Sequence, residues 1–163
     1  MPPVILTDEQ IGELLAETKE VPEGLCGSLA RPMAERNGHR HKEFDVECDS
    51  ENLFFIKLRQ LCANPLDFSV ILAYQLPGLH TLFRLRRYNG KHYHTNQLER
   101  ERFYGFHIHT ATARYQTAGF RSDHFAQRTD RYWNLESAIQ CLLCDCGFKS
   151  PIEESPLFSS KIK

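Results

Sequence analysis

Between His39 and Tyr115 the chain alternates apolar and polar residues in short stretches that turn signals separate. Such alternation is typical of half-buried β-strands, because successive side chains point to opposite faces of a sheet. Asn64-Pro65, Pro77-Gly78 and Asn89-Gly90 favour turns, and Asn-Gly is a strong signal for a tight hairpin. Short turns join antiparallel strands. The pattern therefore predicts a meander of five or six antiparallel strands.

Helical patterns flank this region. Thr7 and Gln10 fit a capping box that begins a helix over 7–20, and Asn134 is suited to cap a helix that ends near Cys146. The predicted strands cover residues 39–49, 53–61, 67–75, 79–88, 91–96 and 105–115. We therefore predict an α+β fold in which an N-terminal and a C-terminal helix flank the meander sheet.

The length of 163 residues fits one domain. We predict that residues 1–149 form this single domain, with a long loop over 21–38, and that residues 150–163 are a loose C-terminal tail. No apolar stretch approaches the roughly 20 residues that span a membrane, and the N-terminus lacks the pattern of a signal peptide. We therefore expect no membrane association, a cytoplasmic location and reduced cysteines.

Charge is distributed unevenly along the chain. Residues 1–78 contain 13 acidic and 7 basic residues, whereas residues 79–131 contain 4 acidic and 10 basic residues. The basic middle also contains six of the eight histidines. This asymmetry favours an anionic partner such as RNA or another phosphate-bearing molecule. The alternative is that acidic and basic strands pair with each other across the sheet.

Three His-x-His pairs are the most unusual local feature: His39/His41, His92/His94 and His107/His109. On a strand, residues i and i+2 share a face, so each pair can direct two imidazoles to one place. The first pair lies among acidic residues on the polar side of its strand and is predicted to be solvated. The other two pairs lie in the basic segment and are predicted to form one site.

The leading functional hypothesis is a protein directed at nucleic acid or phosphate groups, acting as a metal-independent ribonuclease. Imidazole titrates near neutral pH, so one histidine can accept a proton while another donates one. Guanidinium groups match phosphate in geometry and charge. The predicted catalytic residues are His94, His107, His109, Arg114 and Tyr115, and the predicted phosphate-binding residues are Arg84, Arg86 and Arg87. This chemistry needs no cofactor.

Three alternatives remain open for the same segment. His92, His94, His107 and His109 are candidates for a divalent metal site, since neutral imidazoles suit transition metals such as zinc. Another alternative is a non-enzymatic binding module with a protein partner, for example a toxin partner or an inhibitor of a nucleic-acid machine. In the simplest interpretation, the histidines only form hydrogen bonds within the sheet.

Two resemblances concern these histidines. His92, His94 and Glu99, followed by Gly105, resemble the H-x-H-x4-E part of the first cupin motif, which implies a metal ligand set. A second cupin motif is not seen. The H-T-N step at 94–96 and the G-x-H-x-H step at 105–109 resemble a pattern in a family of short uncharacterised prokaryotic and phage proteins. That resemblance implies that the histidine-bearing hairpin is the shared feature, and it suggests a mobile-element or toxin-like context.

Overall fold

The computed structural model describes residues 4–26 and 33–149, and it confirms an α+β fold built on an antiparallel meander. The predicted tail at 150–163 lies outside the described residues. The helices are α1 (Asp8–Ala16), α2 (Ala113–Thr117) and α3 (Leu135–Asp145). The strands are β1 (Ala34–Arg36), β2 (His39–Val46), β3 (Phe54–Leu61), β4 (Asn64–Gln75), β5 (Leu82–Asn96), β6 (Glu101–Thr110) and β7 (Ala126–Arg128). Neighbours in the sheet follow the order of the chain from β1 to β7.

The predicted helix caps are confirmed. Thr7 and Gln10 form the capping box of α1, and Asn134 caps α3 through the backbone N–H of Ser137. These side chains satisfy N–H groups that have no partner within the helix. Helix α1 is shorter than predicted, because Glu17 already leaves the helical conformation.

The hairpin predicted at Asn89-Gly90 is wrong. Strand β5 continues through both residues, with a register shift between Asn89 and His92. Gly90 serves close packing here, because an added Cβ would lie 2.0 Å from the carbonyl oxygen of Leu66. An isolated glycine in a strand often marks such a bulge or close backbone approach. The long strand that results carries His92 and His94 beside β6.

Other boundaries also differ from the prediction. The turn expected at Asn64-Pro65 lies at 62–63, so Asn64 already belongs to β4. The predicted loop over 21–38 contains β1, and its residues 27–32 lie outside the described residues. Strand β6 ends at Thr110, which places Tyr115 on α2 and not on the strand. The predicted strands at 79–88 and 91–96 are one strand, β5, and the short edge strands β1 and β7 are additional, so the sheet has seven strands.

One face of the sheet and the side chains of α1 and α3 form the hydrophobic core. Ile56, Leu72 and Leu85 are fully buried there, together with Leu142 of α3. Tyr132, which precedes α3, donates a hydrogen bond to the carbonyl oxygen of His107. The opposite face of β5 and β6 is polar, and the segment 111–125 contacts it. Among the described residues, no helix is both long and apolar enough to cross a bilayer.

Candidate functional site

Three histidines converge on the polar face of β5 and β6. One ring nitrogen each from His94, His107 and His109 lies within 4.8 Å of the other two. The ring centroids of His94 and His109 are 4.7 Å apart, and those of His107 and His109 are 5.0 Å apart. His107 and His109 are buried, whereas His94 is half-buried. We call these three residues the histidine triad.

Hydrogen bonds determine the tautomer of each ring. His107 Nδ1 is 2.8 Å from the carbonyl oxygen of Gly105, and His109 Nδ1 is 2.8 Å from that of Asp123. A carbonyl oxygen only accepts, so both Nδ1 atoms carry the proton. The Nε2 atoms of His107 and His109 therefore keep their lone pairs.

Asn96 determines the tautomer of the third ring. Its side chain donates to the backbone oxygen of Ala126 and accepts from the backbone N–H of the same residue, which settles its orientation. The Asn96 Oδ1 is 2.9 Å from Nε2 of His94. His94 therefore donates through Nε2 and keeps a lone pair on Nδ1. Metal-binding histidines share this arrangement, since an oxygen acceptor usually holds the second ring nitrogen.

Burial keeps the triad uncharged. Desolvation lowers the pKa of His107 to about 4, and the pKa of His109 is lowered further for the same reason. Desolvation also lowers the pKa of the half-buried His94. The low-polarity surroundings penalise the charged imidazolium, so all three rings are neutral at pH 7. Neutral imidazole is the form that binds metals.

A buried ion pair lies beside the triad. The Arg87 Nε is 3.1 Å from a carboxylate oxygen of Asp123, whose side chain is 1% exposed. Arg87 is also the cross-strand neighbour of His109. Burial lowers the pKa of Arg87 to about 10. Arg87 was predicted to bind phosphate, but its guanidinium is occupied by Asp123.

The other predicted arginines differ in their surroundings. Arg86 influences the pKa values of Asp145 and Cys146 at the C-terminal end of α3, so it lies toward the opposite side of the sheet. Arg84 is close enough to Arg87 to lower the pKa of that residue. Arg114 is exposed and forms an ion pair with Glu99. Arg84 therefore lies near Arg87, Arg86 lies toward the other side of the sheet, and Arg114 is paired with Glu99.

Tyr115 borders the triad through His124. The Tyr115 ring stacks on His124 at a centroid distance of 5.2 Å, and His124 is 5.1 Å from the ring of His94. The Tyr115 hydroxyl donates to Glu99. The carboxylate of Glu99 is thus paired with Tyr115 and Arg114, and it is not part of the triad as the cupin resemblance implies.

His92 lies next to the triad without joining it. Its ring is 4.7 Å from that of His107, and its Nε2 is 3.3 Å from the side-chain nitrogen of Asn89. The same Asn89 nitrogen is 3.5 Å from Nε2 of His107. Of the four histidines in the predicted metal site, His94, His107 and His109 therefore converge, and His92 contacts them from the side.

Comparison with known proteins finds no family model, no curated protein and no solved structure that matches the chain. The interpretation of the triad therefore depends on its own geometry.

Sequence reasoning missed three residues that support the triad. Asn96 orients His94, the backbone of Asp123 orients His109, and His124 contacts the His94 ring. The H-T-N step is a local signal for Asn96, because His94 and Asn96 are two residues apart on one strand. Asp123 and His124 have no such signal, since only the path of segment 111–125 brings them to the sheet.

Proposed function

We propose that this protein binds one divalent transition-metal ion through His94, His107 and His109. One observation carries the proposal: three neutral imidazoles converge, and an oxygen acceptor holds the second nitrogen of each ring. Within the described residues, no carboxylate or thiolate belongs to this group. A ligand set made only of imidazoles favours zinc, copper, nickel or cobalt over magnesium or calcium.

The spacing of the triad is compatible with a metal ion after small side-chain movements. Zinc–nitrogen bonds of about 2.0–2.1 Å place the nitrogens of a tetrahedral site about 3.4 Å apart. The three nitrogens lie within 4.8 Å of one another, so each pair would have to approach by no more than about 1.4 Å to reach that spacing. Three protein ligands leave a fourth position for water or a substrate, as in catalytic zinc sites. A metal bound there would act as a Lewis acid on that fourth ligand.

The geometry supports a metal-independent ribonuclease less well. General acid catalysis at pH 7 requires a protonated histidine, but burial lowers the pKa of His107 to about 4. Arg114, which the sequence predicts to be catalytic, is paired with Glu99. Ribonuclease activity of this type stays a sequence-based prediction, and loss of RNA cleavage in H107A/H109A would support it.

Metal analysis of the untagged protein tests the proposal. The protein is stripped with a chelator, loaded with zinc and dialysed, and its metal content is measured by mass spectrometry. We expect about one equivalent of zinc, because the ligand set is a single triad. Cobalt(II) as a second probe should give the visible absorption of a tetrahedral nitrogen site.

The matched control is the His-x-His pair at His39 and His41, which lies outside the triad. H107Q/H109Q removes two ligands and should lose the zinc, whereas H39A/H41A removes the same number of imidazoles outside the triad and should retain it. H94Q changes a half-buried ligand and provides a variant with less effect on folding. Less than a tenth of an equivalent in the unaltered protein, or equal retention by H107Q/H109Q and H39A/H41A, would overturn the proposal.

A further inference from the structure

The β5–β6 hairpin has a second surface, on the face opposite to the histidine triad. Side chains alternate along each strand, so the residues between the histidines point away from them. This face consists of Lys91, Tyr93, Arg102, Tyr104 and Phe106, which we call the aromatic–cationic surface. Tyr93 is 63% exposed and Tyr104 is 50% exposed. Large aromatic side chains are rarely left in solvent together, so this surface differs from the rest of the sheet.

Aromatic rings and cations interleave on this surface. Tyr93 and Tyr104 are cross-strand partners, with ring centroids 4.9 Å apart. The guanidinium carbon of Arg102 is 4.5 Å from the centre of the Tyr93 ring, and Lys91 Nζ is 5.5 Å from that of Phe106. Each cation thus lies beside an exposed or half-exposed ring. The strands hold these side chains in a continuous row.

The charge of the surface is entirely positive. Glu101 is the acidic residue of this part of β6, but it lies toward the other face, where Asn96 donates to its carboxylate. Arg100, in the turn of the hairpin, adds an exposed cation at one end. Within the described part of the chain, Lys91, Arg100 and Arg102 take part in no ion pair. Their charge is therefore available to an anionic partner.

We propose that the aromatic–cationic surface binds single-stranded nucleic acid. Bases would stack on Tyr93 and Tyr104, and backbone phosphates would contact Lys91 and Arg102. Single strands offer unstacked bases to aromatic rings, and the basic side chains supply attraction to the phosphates. Duplexes keep their bases stacked internally and gain only the attraction of charge. This binding does not depend on the metal proposed for the opposite face.

Fluorescence anisotropy with labelled 12-nucleotide probes tests this inference in the full chain. Oligo(U) RNA and oligo(dT) DNA are compared with a duplex of mixed sequence, in low salt. Removal of aromatic stacking typically lowers affinity about fivefold to a hundredfold for each base. We expect Y93A/Y104A to weaken binding of at least one single-stranded probe about tenfold or more. W133A removes an exposed aromatic residue outside the surface, 68% exposed, and should bind like the unaltered protein.

The charged residues provide a second variant. K91Q/R102Q should make the dependence of log affinity on log salt shallower by about 1.4, since each lost phosphate contact accounts for about 0.7 in single strands. Y93F/Y104F should retain affinity, because phenylalanine keeps the stacking face. Zinc content and melting temperature of Y93A/Y104A should match those of the unaltered protein, which separates this proposal from the metal site.

Three results would overturn the inference. The first is no binding of either single-stranded probe in low salt. The second is equal binding of single strands and duplex together with unchanged affinity in Y93A/Y104A, which would indicate attraction of charge alone. The third is displacement of the probes by an acidic polypeptide such as polyglutamate at equal charge concentration, which would indicate that the surface accepts acidic proteins.

Discussion

Two copies of the same motif have opposite surroundings in this protein. His39 and His41 lie on β2 between β1 and β3, and His107 and His109 lie on β6 between β5 and β7, so each pair is on the strand next to an edge. The second pair is 0% and 2% exposed, and the first is half-buried. The rings of the first pair are 5.9 Å apart, close to the 5.0 Å of the second. Spacing along a strand therefore does not distinguish the two pairs.

A hydrogen bond to the backbone does not distinguish the pairs either. His39 Nδ1 is 3.1 Å from the carbonyl oxygen of Asn37, much as His107 Nδ1 is placed near Gly105. What separates them is a third histidine from a neighbouring strand and the cover that segment 111–125 supplies. Among residues 4–26 and 33–149, which the structure describes, no further histidine or metal-ligating side chain forms a cluster with His39 and His41. The candidate site therefore depends on the convergence and burial of three histidines, and the His-x-His motif alone does not create it.

The two histidine pairs should differ most in how strongly they make the folding stability depend on acid pH. Burial lowers the pKa of His107 from 6.5 to about 4, so the unfolded chain binds a proton that the metal-free folded chain does not between those pH values. Stability from this group is complete above pH 6.5 and is lost as the pH falls toward 4. At 1.36 kcal/mol per unit, the loss is about 3 kcal/mol.

Urea unfolding in a chelator between pH 7 and pH 4 measures this effect. H107Q should show a shallower loss of stability than the unaltered protein, because glutamine does not titrate. H39A/H41A should change this slope less than H107Q does, because the rings of His39 and His41 are only half-buried. Identical slopes in H107Q and the unaltered protein would contradict a buried neutral His107.

Zinc at pH 7 should stabilise the variants that keep the histidine triad and leave the variant that loses it unchanged. Free zinc at 100 times its dissociation constant stabilises a one-site protein by about 2.7 kcal/mol, which raises the melting temperature by roughly 5 to 11 °C at this chain length. The rise should occur in the unaltered protein and in H39A/H41A, and it should disappear in H107Q/H109Q. Thermal melts with and without zinc provide the measurement.

Replacement of Asn96 should lower the affinity for zinc, with a smaller effect than removal of two of the ligands. N96A removes the acceptor that orients His94, and loss of such a partner typically lowers metal affinity about 10- to 100-fold. The control is N64A, which removes an exposed amide at the start of β4. A competition titration with a zinc-binding dye compares the two variants. Equal affinity in N96A and N64A would show that Asn96 does not position the ligand.

The smallest effect is expected for H39A/H41A in the absence of metal. Surface substitutions away from special features usually change stability by no more than about 0.5 kcal/mol. Chemical denaturation at pH 7 should therefore place this variant within that range of the unaltered protein. If H39A/H41A lost about 2 kcal/mol or more of unfolding free energy, His39 and His41 would contribute to stability as a buried pair does.

The helix caps and the central strands could be predicted because their causes are local. Thr7 and Asn134 satisfy backbone N–H groups a few residues away, and alternation along β3 follows from one buried face. Gly90 could not be interpreted locally, since its role depends on the backbone of Leu66 on another strand. The short strands β1 and β7 have too few residues to show a period.

The sequence by itself determined that this chain folds as a helix-flanked antiparallel meander and that its middle segment is rich in histidine and positive charge. Only the tertiary structure decided which histidines meet. The register of β5 against β6 brings His94 to His107 and His109, and segment 111–125 covers them. Register and cover arise from contacts between residues far apart in the chain, so no local pattern encodes them.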